Sequence, residues 1–177
     1  MNYIYHLVPE DMKGQILYPL NVLKNKYPSI YKKEAEKYSN ERKKVMKRKI
    51  PFINCLMSDV LHFTTVHPSK IAKALKEAGY PLKKSKWLKI NSKKIDSTKA
   101  IIYLFSFKKK ESEFMAEDNF VEFNGKNLSE YNKIPARTKR YYKKEIRSGR
   151  RPLKFLFIPH VFYKANLNIK GVEIIEA

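Results

Sequence analysis

Two of the chain's four histidines stand five residues apart in the stretch SDVLHFTTVHPSKI, at His62 and His67. A third, His6, stands in the opening run YIYHLV. A neutral imidazole can hydrogen-bond a ribose hydroxyl, and a protonated one can hold a phosphate. A metal site asks for more, since three or four ligands must converge in space. His62 and His67 are an odd number apart, so on one straight strand they face opposite sides. No HxH, HxxxH or CxxC motif accompanies them, and no metal is expected.

The surroundings of each histidine narrow the chemistry. Leu61 and Phe63 alternate with His62 and Thr64. A polar face of that kind beside an apolar one borders a cleft or solvent. His67 abuts Pro68, at the mouth of the helix pattern PSKIAKALKEAG (68–79). Free N–H groups at a helix start bind phosphate, and His67 with Ser69 could join them there. The alternative is that the His67 ring only caps the turn. In YIYHLV, His6 shares a face with Ile4 and Val8, opposite Tyr3, Tyr5 and Leu7. It is either a satisfied core or edge residue, or it meets His62 in one cleft between neighbouring strands.

The elements that must carry these residues form one α+β domain over 1–177. The expected architecture is a twisted, mostly antiparallel sheet with flanking helices. YIYHLV (3–8), IPFINCL (50–56), VLHFTTV (60–66), KWLKI, AIIYLFSF, LKFLFIP, HVFYK and VEIIE read as strands. ILYPLNVLKNKYP (16–28) reads as a short helix or turn segment. Residues 29–49 read as a helix starting at Pro28 and Ser29, with Tyr31, Ala35, Tyr38, Arg42 and Val45 at helical steps. In PSKIAKALKEAG the stripe Ile71, Ala74, Leu75, Ala78 is apolar and Gly79 suits the position after a helix. Residues 108–119 read as a polar loop. Residues 127–149 read as a basic helix broken at Pro135.

Charge points to a partner. Lys and Arg number 38 against 17 acids, a formal net charge of +21. Such a surface attracts polyanions, nucleic acid first and anionic membrane second. The surplus is clustered. RTKRYYKKEIRSGRR (137–151) carries Arg140, Lys143, Lys144 and Arg147 at helical steps, followed by Arg150 and Arg151. Tyr141 and Tyr142 interrupt that stripe and either stack on exposed bases or, if the helix face is merely solvated, pack on the domain. Like charges at these steps cost roughly 0.2–0.5 kcal/mol per pair, which suggests an anionic counterpart. A second patch runs from Arg42 to Lys49 and a third lies in PLKKSKWLKINSKK.

Other chemistry is thinly represented. No GxxxxGK[ST], GxGxxG or GxSxG motif occurs. Glu111, Glu113, Glu117 and Asp118 fall in the polar loop rather than in a convergent cluster. The lone cysteine, Cys55, sits in apolar FINCLM, reads as an inert thiol, and suits a reducing cytoplasm. There is no run of eighteen apolar residues and no signal-peptide pattern at MNYIYHLVPEDM. The expectation is a cytoplasmic protein without a membrane span.

The order YIYHLV, LHFTTVHP and LKFLFIPHVFYKANLNIKGVEII resembles the ADP-ribosyltransferase-like fold. Its nucleic-acid branches, the DarT-like toxins and the tRNA 2′-phosphotransferases, look nearest. The resemblance implies NAD as cofactor and nucleic acid as substrate. It implies that His6 holds the NAD ribose, that Arg42 or Arg48 is the basic residue before the second strand, and that His62 or Thr64 lines the nicotinamide side. Many of these transferases carry a glutamate on a late strand. The comparable stretch here, RRPLKFLFIP, has Lys154 and no acid; the phosphotransferase branch works without one. Segments such as LYPLNVLK and YPSIYKKEAEKY also look like small uncharacterised bacterial proteins. The different-class alternative is a non-enzymatic nucleic-acid-binding protein with structural histidines. Convergence of His6, His62 and an arginine in one pocket would favour the first reading, and histidines on opposite sheet faces the second.

Overall fold

Apolar residues alternate with polar ones along the runs around His6 and His62, and both runs are strands. The computed structural model describes residues 2–38, 42–105, 115–126 and 128–177; of Arg42 only the backbone is described. Eleven strands and five helices are formed among them. In chain order they are β1 (Tyr3–Leu7), β2 (Ile16–Leu17), α1 (Leu20–Lys26), α2 (Pro28–Glu36), α3 (Arg42–Met46), β3 (Lys49–Ile50), β4 (Cys55–Leu56), β5 (Leu61–Thr64) and α4 (Pro68–Glu77). They continue as β6 (Lys86–Asn91), β7 (Ala100–Tyr103), β8 (Phe120–Glu122), α5 (Ala136–Arg147), β9 (His160–Tyr163), β10 (Leu167–Asn168) and β11 (Glu173–Glu176).

Seven strands make one sheet in the order β11-β6-β1-β5-β9-β7-β8, and every neighbouring pair is antiparallel. The chain is therefore a mixed α/β domain on a large antiparallel sheet with helices alongside. Period-two alternation sorts its core. Ile4, Phe63, Leu88, Val161 and Ile102 pack on one face. Val60, Ile101, Tyr103, Phe120 and Phe162 pack on the other. Strand β7 is buried along its whole length.

Three stretches depart from the sequence expectation. Residues 50–56 are a hairpin, because Phe52 and Asn54 take positive φ and turn the chain back so that Ile50 pairs with Cys55. Residues 153–159 are not a strand: Phe157 has φ 63°, and prolines stand at both sides of the segment. The helix expected over 29–49 divides into α2 and α3, with residues 39–41 outside the described ones. The expected loop at 108–119 also lies outside up to residue 114, with Glu111 and Glu113 in it. Its end, Glu117–Asn119, is a short 3₁₀ turn.

The basic helix starts where Pro135 ends the preceding chain, since proline supplies no N–H and suits the helix boundary. The apolar stripe of α4 is buried at Ile71, Ala74 and Leu75. It packs with Tyr142 of α5 and with Ile158. An edge contact between Trp87 and Phe155, ring centres 5.7 Å apart, ties that layer to β6.

Candidate functional site

Leu20 and Leu23 of α1, Ile30 and Glu34 of α2, and the flanking Tyr27 and Tyr38 line one pocket. All six are half-buried, and neither helix has a fully buried residue. They form one wall of a half-open cavity of about 220 Å³, whose other wall is the end of β1 and the start of β5. Of the stripe expected from the sequence, Tyr38 and Val45 line the pocket, Tyr31 and Ala35 do not, and the Arg42 side chain lies outside the described residues.

His6 and His62 both line this cavity. By strand parity they belong to opposite faces: His6 sits edge-on to Phe63 at 5.5 Å, and His62 edge-on to Phe162 at 4.9 Å. They meet in one cavity because β1 and β5 share a single ladder pair, Tyr5 with Thr64. Beyond it, toward Leu7 and Leu61, no ladder closes the gap. His6 Nδ1 donates to the Leu7 carbonyl at 2.6 Å, and His62 Nε2 donates to the Met57 carbonyl at 3.0 Å. A carbonyl only accepts, so these bonds fix both tautomers. No buried side-chain nitrogen or oxygen among the described residues lacks a partner. The second nitrogen of each ring therefore meets accessible space.

Burial keeps both rings uncharged. It lowers His6 to about 4, helped by the neighbouring His62, and it lowers His62 as well. At neutral pH the free nitrogens, Nε2 of His6 and Nδ1 of His62, are hydrogen-bond acceptors. A base that weak holds a hydroxyl or an amine better than it stores a proton. A third ring extends the group. His160 of β9, which the sequence reading passed over, lies 6.3 Å from His62 and is lowered to about 3 by burial and by His62. Its Nδ1 donates to the Ile158 carbonyl at 2.6 Å. The only signal for it in the sequence is a histidine opening a strand, PHVFY; its nearness to His62 is a matter of strand pairing.

The remaining residues expected at the cofactor site are elsewhere. Thr64 is buried, and its hydroxyl accepts from the Val66 N–H at 3.1 Å, so it does not reach the cavity. His67 caps α4: its Nδ1 accepts from the Ser69 N–H at 3.2 Å and lies 2.7 Å from the Ser69 hydroxyl. Both belong to the far end of β5, where His67 and Lys70 border a separate polar hollow of about 130 Å³. Arg48 does not line the cavity, and the Arg42 side chain lies outside the described residues. Among the described side chains no arginine lines it. Its charged groups are Lys13, Asp11 and Glu34. Lys33 holds Asp11 and Lys37 holds Glu34, each at 2.6 Å.

Cys55 is half-buried, and burial pushes its thiol up to about 11, which suits an unreactive group. No group of three metal-ligating side chains occurs among the described residues.

On α5 the cationic residues and the tyrosines separate. Arg140, Lys143, Lys144, Arg147, Arg150 and Arg151 are exposed. Arg150 closes a two-point pair with Glu145, at 2.7 and 3.0 Å. Tyr142 is fully buried and donates to the Lys154 carbonyl. Tyr141 is half-buried, accepts from the Leu153 N–H at 3.0 Å, and packs edge-on against Phe157. Tyr142 is therefore core and not the expected stacking surface, while Tyr141 keeps a partly exposed ring engaged with residues 153–157.

No protein-family model, curated protein or solved structure matches the chain. No helix among the described residues is long and apolar enough to cross a membrane.

Proposed function

We propose that the cavity is a nucleotide site, taking the nucleoside part of NAD or a related nucleotide, in an ADP-ribosyltransferase-like protein that acts on nucleic acid. The observation that carries this reading is the meeting of His6 and His62 in one cavity walled by residues of α1 and α2. A planar ring suits the apolar wall with Tyr27 and Tyr38. Ribose hydroxyls suit the two histidine acceptors. With no arginine in the described wall, the phosphates belong at the rim beside Lys13, facing solvent. The opposing reading, a basic binding protein with structural histidines, draws on that same absence of arginine and on the opposite sheet faces of His6 and His62.

A thermal-shift titration with NAD, ADP-ribose and nicotinamide separates the two. Binding to the native state alone raises stability by about 2.7 kcal/mol at a ligand concentration of 100 Kd. A saturable shift with at least one of these compounds is expected, lost in both His6→Ala and His62→Ala and retained in His67→Ala. If the unmodified protein shows no shift with any of them, the nucleotide reading is wrong.

A further inference from the structure

Helix α5 has two chemically distinct sides. Thr138 and Tyr142 are fully buried. Arg140, Lys143, Lys144 and Arg147 are exposed, and at 100° per residue they cluster on the opposite side. No acid forms an ion pair with these four among the described residues. The nearest acid in sequence, Glu145, is held by Arg150. The end of α4 abuts the end of α5, with Gly79 against Ile146, and α4 adds exposed Lys73 and Lys76. The outer side of this helix pair is thus rich in cations of fixed helical spacing.

We infer that this face binds the phosphate backbone of duplex DNA, with α5 presented to the major groove. The inference rests on the nucleic-acid part of the reading above and adds the form of the partner. Three observations favour a duplex over a single strand. Sequence-tolerant single-strand binding relies on exposed aromatic platforms, whereas on α5 Tyr142 is fully buried and Tyr141 is half-buried, packed on Phe157 with its hydroxyl held by the Leu153 N–H. A flexible strand held only through phosphates must be ordered without stacking in return. The duplex has one charge per about 1.7 Å of axis, and the B-form major groove admits an α-helix. An anionic membrane fits less well, because interfacial helices need large apolar anchors beside the cations. The stripe of α5 has none: Leu153, 43% exposed, lies beyond its end.

The test is an anisotropy titration across a salt series with the full chain. The probes are a DNA duplex of about two helical turns, one of its single strands, an RNA duplex of the same sequence, and phosphatidylserine vesicles. The variant carries Arg140→Gln, Lys143→Gln, Lys144→Gln and Arg147→Gln; these side chains are exposed, and circular dichroism checks its fold. The DNA duplex is expected to bind tightest. The variant should weaken that binding more than about tenfold near 0.1 M salt and flatten the log–log salt slope by about three to four. Equal or tighter binding of the single strand or RNA duplex overturns the duplex-DNA assignment alone. An unchanged slope in the variant removes this face from the interface. Binding of vesicles with no binding of any nucleic acid overturns the nucleic-acid reading as well.

Discussion

Helices α1 and α2 and helices α4 and α5 each turn some apolar residues inward, and those residues have opposite fates. In α4 the residues Ile71, Ala74 and Leu75 are buried against Tyr142 and Ile158. In α1 and α2 the inward residues are half-buried and border open space. The first pair is packed as core, and its outer side is left to charge. The second pair covers the gap where β1 and β5 part, and its inner side borders a pocket. An apolar stripe alone therefore does not say what it faces: what lies opposite, a filled layer or an unclosed strand pair, decides it.

Matched truncations test that contrast most strongly. Leu75→Ala is expected to cost about 2–5 kcal/mol in urea denaturation, since its side chain leaves a closed space. Leu23→Ala should cost less than about 1 kcal/mol, because the cavity already adjoins it. Equal losses would show that α1 is packed as firmly as α4.

Acid probes the histidine group that joins the two regions. His6, His62 and His160 are all held below their ordinary value near 6.5 by burial. As pH falls through about 6.5 the unfolded chain takes up protons that the folded chain refuses, so stability is lost with acidification. The slope is about 1.4 kcal/mol per pH unit for each histidine until its folded value is reached, about 4 for His6 and about 3 for His160. Above pH 7 these groups contribute no pH dependence. Replacing His6 by Leu should flatten the slope between pH 6 and pH 4 by about one such increment. An unchanged slope would mean that the ring is not shielded from water.

Smaller effects sharpen the picture at each end of β5. His67→Ala removes the cap of α4 and should cost about 0.5–2 kcal/mol without touching nucleotide binding. Ile30→Phe adds bulk at the cavity wall. It should stabilise the protein by about 0.5–2 kcal/mol and abolish the NAD-induced shift. If the shift survives intact, the ligand lies elsewhere.

What was legible in the sequence was local. Two-residue alternation marked β1 and β5, and a short apolar run marked β7; Pro28 and Pro135 marked helix boundaries; and the three- and four-residue steps of α4 marked its buried stripe. Each follows from backbone geometry within a few residues. The sequence also determined the charge of +21 and the outward stripe on α5, because a helix face is set by spacing alone. Only the tertiary structure decided which residues meet. Strand pairing put His160 beside His62, and the single bridge between β1 and β5 let His6 and His62 share a cavity despite opposite parity. Packing turned Tyr142 from a potential base-stacker into core and put Thr64 and His67 outside the cavity. Such contacts join positions far apart in the chain, and no local periodicity encodes them.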